Sequence, residues 1–233
     1  MIAVRNLVKS YIVDHAPFKA VDNANFECGK SDYVSIMGHS GSGKSTLLSL
    51  IGGLTRPDSG DIVIDGTSIL SLNDDALSEF RNRKLNFIFQ FSSLIPTLTA
   101  LENVMLPVSL SAVRDRSKVE VKKEAVGLLD MVGLEDKVNA YPAQLSGGQQ
   151  RRVAIVRSFI NNPDIILADE PTGDLDEETE SAMIKIFRRM NREKGITFIV
   201  VTHSSSIANE ARRVLRMYNG RLEEVQSQVS GGQ

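Results

Sequence analysis

The stretch that decides the fold is Tyr33–Gly53, "YVSIMGHSGSGKSTLLSLIGG". It opens with a short strand-like run, passes through Gly38, Gly41 and Gly43, and continues as an apolar helical stretch that Gly52 and Gly53 stop. Glycine costs backbone entropy and adds no packing, so glycines this dense imply that the bare backbone itself is needed. A helix start leaves its first N–H groups without partners, and a glycine loop in front of it adds more of them, aimed into one concavity. Gly38, Gly43, Lys44 and Ser45 match G-x-x-x-x-G-K-[ST] in the strand-then-helix context the pattern requires. The candidate phosphate nest is therefore Gly38, Ser40, Gly41, Ser42, Gly43, Lys44, Ser45 and Thr46. Lys44 can reach the β- and γ-phosphates of a nucleotide, and the Ser45 hydroxyl can bind Mg²⁺.

A nucleotide site needs a second metal anchor. "IILADE" ends an apolar run at Asp169, the place for a carboxylate that holds Mg²⁺ through water. Glu170 follows at once and is placed to orient or deprotonate an attacking water.

Composition bounds the rest. The chain has 233 residues, 42% of them hydrophobic, enough for one large domain or two small ones sharing an interface. With 27 basic and 29 acidic residues, net charge −2 gives no whole-chain case for a nucleic-acid binder and leaves only local basic patches open. The single cysteine, Cys28, excludes an internal disulfide and suits a reducing compartment. "MIAVRNLVKSYIV" lacks the apolar core of a signal peptide, and no stretch reaches the roughly 20 apolar residues of a membrane span. The expectation is a soluble chain that reaches a membrane only through a partner.

Along the chain, "MIAVRNLV", "FKAVDNANFE" and "YVSIM" read as short strands, "DIVIDG" as a strand and turn, and "LNFIFQ" as a buried strand. From residue 91 to 157 the pattern turns helical. In "SKVEVKKEAVGLLDMVGL", Val119, Val126, Leu129 and Val132 are expected on one face. "DIILADE" and "ITFIVVTH" are continuous apolar runs, as in parallel strands covered on both sides. Between them, "DEETESAMIKIFRRMNREKG" carries acids first, bases last and Gly195 as a stop, the order that complements a helix dipole. This alternation predicts an α/β core with an inserted helical subdomain. Residues 1–90 and 158–224 would form the core, residues 91–157 the helical part, and residues 225–233 a loose tail.

"LSGGQQRRVAIVRS", Leu145–Ser158, resembles the signature of ATP-binding cassette (ABC) ATPases. The resemblance extends over about residues 1–224. It implies a P-loop NTPase core with a mixed β-sheet, an antiparallel β subdomain and an inserted α-helical subdomain, with ATP and Mg²⁺ as cofactors. The signature is itself a second glycine-rich helix start, and Ser146, Gly147, Gly148 and Gln149 offer donors to an anion. In the family it caps the ATP held by a second copy in a head-to-tail dimer. Residue by residue, the resemblance makes Tyr11 the aromatic that stacks on adenine and Gln90 the metal- and water-sensing glutamine. It makes "GDLD" (Gly173–Asp176) the loop crossing the dimer and His203 the γ-phosphate contact. Catalysis is thus expected from Glu170, His203 and Gln90, and metal binding from Ser45, Gln90 and Asp169. The chain departs from the family in "HSS", where an acid often follows the histidine. It also departs at His39, expected to face solvent, and at Ser31, where glycine is usual and Gly29 is expected to take that role.

"PTGDLDEET" and "LIPTLTALENVMLPVSL" are similar to the macrolide-export, lipoprotein-release and cell-division branch. The resemblance then implies an ATPase that powers a separate membrane permease, docked at the segment after Gln90, on the cytoplasmic face of the cell membrane. The alternatives are an ATPase driving a transmembrane regulator of cell-wall hydrolysis, or an importer ATPase. A non-transport ABC ATPase would carry coiled-coil arms or two cassettes, and the sequence has neither.

Overall fold

The structure is a computed structural model, and it describes residues 1–111, 116–173 and 175–225. The first two strands, β1 (Ile2–Val13) and β2 (Ala16–Cys28), form one long antiparallel hairpin. They are not short, as the alternation predicts. Register shifts between Val4 and Ser10 carry the pairing past the break in the apolar pattern, so that Tyr11 still faces Phe18. Then follow β3 (Tyr33–Met37), α1 (Lys44–Ile51), β4 (Ser59–Ile64), β5 (Thr67–Ser68), α2 (Asp74–Lys84) and β6 (Leu85–Ile88). Three helices come next: α3 (Ala100–Ser109), α4 (Lys118–Met131) and α5 (Gly147–Arg157). The chain then alternates through β7 (Ile165–Asp169), α6 (Glu177–Lys194), β8 (Thr197–Thr202) and α7 (Ser205–Glu210), and ends in the hairpin of β9 (Arg213–Tyr218) and β10 (Arg221–Val225).

Two sheets result. The smaller, in the order β2-β1-β4-β5, is antiparallel. The larger runs β10-β9-β3-β8-β7-β6, parallel throughout except for β10 on its edge. The apolar runs read as strands covered on both faces divide accordingly. Ile165, Leu167, Ile199 and Val201 pack with α1 and the smaller sheet. Ile166, Ala168, Phe198 and Val200 pack with α3–α6. The result is an α/β core with an antiparallel β part and an inserted helical part.

Two sequence expectations change. On α4 the buried stripe is Val121, Ala125, Leu128 and Leu129, continued by Val132, while Val119 is 78% exposed. Ser117 starts the helix with a capping box, which puts Val119 in the first turn and off the inner face. Gly29 does not take the role expected of it: Ser31 itself adopts the left-handed conformation, at φ 58°. Its N–H donates to Thr197 Oγ1 and its hydroxyl to Gly195 O, bonds that offset the strain. Cys28 is fully buried. Val225, expected to begin the tail, ends β10, and residues 226–233 and Asp174 of the "GDLD" loop lie outside the described residues.

Candidate active site

Parallel pairing puts the carboxyl ends of β3, β7 and β8 at one edge of the sheet: Met37 pairs with Thr202, and Asp169 with Val201. In open α/β sheets that edge is where ligands bind. A cavity of about 600 Å³ opens there, lined by Gly38, Ser40, Gly41, Gly43, Lys44, Ser45 and Thr46 from the glycine loop, Tyr11, Val13 and Phe18 from the first hairpin, and Gln90, Asp169, Glu170 and His203. Ser42 is placed differently. Its side chain is buried under the loop, and its hydroxyl has no hydrogen-bond partner.

The loop is shaped for an anion. A Cβ on Gly43 would lie 1.9 Å from Ala20 O, so only glycine lets the loop close on β2. Every helix from α2 to α7 carries a side-chain N-cap: Asn73, Thr99, Ser117, Ser146, Asp176 and Ser204. α1 has none, so its leading N–H groups face the cavity without a protein acceptor from a cap. Lys44 is 9% exposed, and its Nζ donates to Gly38 O and His39 O rather than to a carboxylate. Burial holds the Asp169 carboxyl above its usual range, with Ser45 and Lys44 pulling the other way. A pocket with an uncapped helix start, a lysine held only by carbonyls and a carboxyl raised by burial suits a phosphate chain with a divalent cation.

Glu170 is in the left-handed region at φ 42°. Its Oε2 accepts from Thr202 Oγ1 at 2.9 Å and from the His203 N–H at 3.3 Å, and Oε1 pairs with His203 Nδ1 at 2.9 Å. The His203 side chain is 75% exposed and that of Glu170 only 13%. Ser204, standing where an acid often follows, caps α7 and bonds Glu180 Oε1 at 2.8 Å. His39 is exposed as expected, with its ring edge-on to Tyr218 at 5.5 Å. Gln90 lies two residues beyond the end of β6, exposed at the cavity.

The predicted signature residues are elsewhere. Ser146 and Gln149 close a capping box at the start of α5, and neither they nor Gly147 and Gly148 line this cavity. Two side chains that matter here were not singled out from the sequence. Phe18 is one, and strand pairing opposite Tyr11 would have pointed to it. The other is Arg151 on α5, 2% exposed, which donates to Pro171 O at 2.8 Å, to Glu170 O at 2.6 Å and to Phe89 O. Nothing in "QQRRVA" separates it from its neighbour Arg152.

A family model described as "ABC transporter" matches residues 21–173. An uncharacterized ABC transporter ATP-binding protein of Methanocaldococcus jannaschii, MJ0796, is 44% identical over 96% of this chain and 95% of its own. The macrolide export ATP-binding/permease protein MacB of Rhodopirellula baltica is 45% identical over 96% of this chain, which spans only 33% of that relative. Among solved structures, a dimeric post-hydrolysis state of the cassette MJ0796 bound to ADP and Pi superposes with a TM-score of 0.91. It is 41% identical and covers 97% of this chain and all of that one. With the glycine loop, the paired acids and the signature helix in this arrangement, the chain belongs to the ABC transporter family and is an ATP-binding cassette with ATPase activity.

Proposed function

We propose that the chain is the motor of a membrane permease and that two copies, head to tail, build its ATP sites. One observation carries this reading. Of the two glycine-rich helix starts, one is closed inside its own chain and the other is open. A Cβ on Gly43 would strike backbone, whereas one on Gly147 would meet nothing within 4 Å, and Ser146 and Gly147 are exposed. Packing within the chain therefore gives no reason for glycine at Gly147. A surface that must approach something outside the chain does.

When bound, Mg·ATP supplies the scissile phosphoanhydride bond and a Lewis acid. Ser45, Gln90 and Asp169 would hold the metal, and Lys44 with the loop N–H groups would hold the phosphates. Tyr11 and Phe18, each nearly half exposed at the cavity rim, form the platform for the base. Glu170 takes the proton of the attacking water at Oε1 once the His203 ring turns toward the phosphate. Thr202 and the His203 N–H keep Oε2 in place meanwhile. The signature Ser146, Gly147, Gly148 and Gln149 closes the partner's site.

For the membrane contact, Phe91 is 75% exposed, and Phe89 and Ile95 are also exposed, just after Gln90. Asn103 ties the end of this segment through Ile95 N, Ile95 O, Leu98 O and Thr99 O. No helix among the described residues is long and apolar enough to cross a membrane. The docked permease would therefore hold this cassette at the cytoplasmic face. The MacB relatives carry ATP-binding and permease functions in one chain, which supports an export-type partner. The helical block, residues 91–157, would carry the motion between patch and site.

Mixing Lys44→Ala with Ser146→Arg chains tests the shared site. If it forms between copies, the mixed dimer contains one intact site and ATPase activity returns. If each chain closed its own site, every site would keep one lesion and none would recover.

A further inference from the structure

Three stretches of backbone meet beside the cavity at distances only glycine allows. Gly43 closes on Ala20 O of β2, as above. A Cβ on Gly38 would lie 2.3 Å from Met217 O at the end of β9, and one on Gly220 would lie 2.9 Å from Lys19 O of β2. The phosphate loop thus rests on β2 and on β9, and the β9–β10 turn rests on β2. Hydrogen bonds follow the same triangle. Gly220 N–H donates to Ser42 O at 3.0 Å, and Asp22 N–H donates to Gly220 O at 2.8 Å. Arg221 Nε reaches Asp22 Oδ2 at 3.1 Å.

The turn itself is set locally. Asn219 and Gly220 have φ 46° and 79°, and an Asn-Gly pair with both residues left-handed is a two-residue hairpin turn of fixed shape. It lies outside the span that matches the family model, residues 21–173. β2 leads from the turn to Phe18 and, across the hairpin, to Tyr11.

We propose that the Gly220 turn is a positioning device that sets the separation between the base platform on the first hairpin and the phosphate loop. Two subsites on one ligand add their affinities only when their spacing matches it, and sub-ångström errors are felt. The turn touches both parts and does not line the cavity, so it acts through them. This rests on the nucleotide reading above, with Tyr11 and Phe18 as the base platform.

The test is calorimetric titration of the full chain with Mg·ATP and with Mg·tripolyphosphate, which has no base. Gly220→Ala directs its new methyl at β2, 2.9 Å from Lys19 O and 3.2 Å from Ala20 O. It should weaken ATP about tenfold, the loss also expected for Tyr11→Ala from one stacking contact. Tripolyphosphate should change by less than about twofold, and the double variant should lose no more than about twofold beyond either single one, because the two act on one subsite. Equal weakening of both ligands, unchanged ATP affinity, or additive losses would overturn the proposal. Should Gly220→Ala not fold, Arg221→Met decides. It removes only the bond to Asp22 from a side chain 74% exposed, and should shift ATP in the same direction with tripolyphosphate unmoved. Unchanged ATP affinity there would overturn the proposal. Unchanged ATP affinity in Tyr11→Ala alone would remove the base platform, and the device with it. Failure of the Gly220 variant beside a weakened Tyr11→Ala would remove only the device.

Discussion

Glu170 makes more contacts than a free base needs: two donors fix Oε2, and His203 Nδ1 occupies Oε1. Glu170→Gln keeps the shape and removes the basicity, so ATP binding should survive while turnover falls about 10²- to 10⁴-fold, read by single-turnover hydrolysis. Normal turnover in this variant would take Glu170 out of the chemistry. Gly43→Ala should behave oppositely and lose nucleotide binding, because its methyl would overlap Ala20 O. Filter binding of labelled ATP checks it. Lys44, Ser45, Asp169 and Glu170 were legible in the sequence because local backbone dictates them: a loop that must be bare, then the end of an apolar strand. Arg151 was not. Whether an arginine on a helix is buried depends on what packs over it, and the three carbonyls it serves are distant in sequence. Ser31 shows the same limit, since its left-handed φ is held by bonds to Gly195 and Thr197.

At the scale of elements, α5 joins the signature to the catalytic edge. Arg151 ties it to Phe89, Glu170 and Pro171, and Arg157 donates to Ser92 O and Ser93 O. Bonds from a charged donor are worth roughly 1.5–3 kcal/mol each, so Arg151→Met should cost at least about 3 kcal/mol in all. For a chain of this size that lowers Tm by on the order of 6–12 °C or more, measurable by calorimetry. A Tm within about 2 °C of wild type would mean the ties carry little energy. The parallel strands and the long dipole-ordered helix α6 were readable because apolar runs and charge order are local properties. The inner face of α4 was misread because Val119 and Val126 fit a helical spacing. The capping box at Ser117 and the stripe from Val121 decide which face turns inward. The reach of the first hairpin was also missed, because bulges let pairing continue where the apolar alternation stops.

For the whole molecule, two proposed contacts reach beyond a single chain: a site completed by a second copy, and an exposed apolar patch completed by a permease. The second predicts that the cassette sediments with permease-containing vesicles and that Phe91→Asp, at a side chain 75% exposed, releases it without lowering Tm. Equal retention of Phe91→Asp would place the contact elsewhere. The first contact is central, and sedimentation velocity on Glu170→Gln chains with ATP and Mg²⁺ tests it most directly, beside the same variant carrying Ser146→Arg. An ATP-dependent dimer is expected for the single variant and a monomer for the double one, with the double variant binding ATP as tightly per chain as monomeric wild type. A dimer that persists in the double variant, or a double variant that loses ATP binding as a monomer, would contradict the shared site.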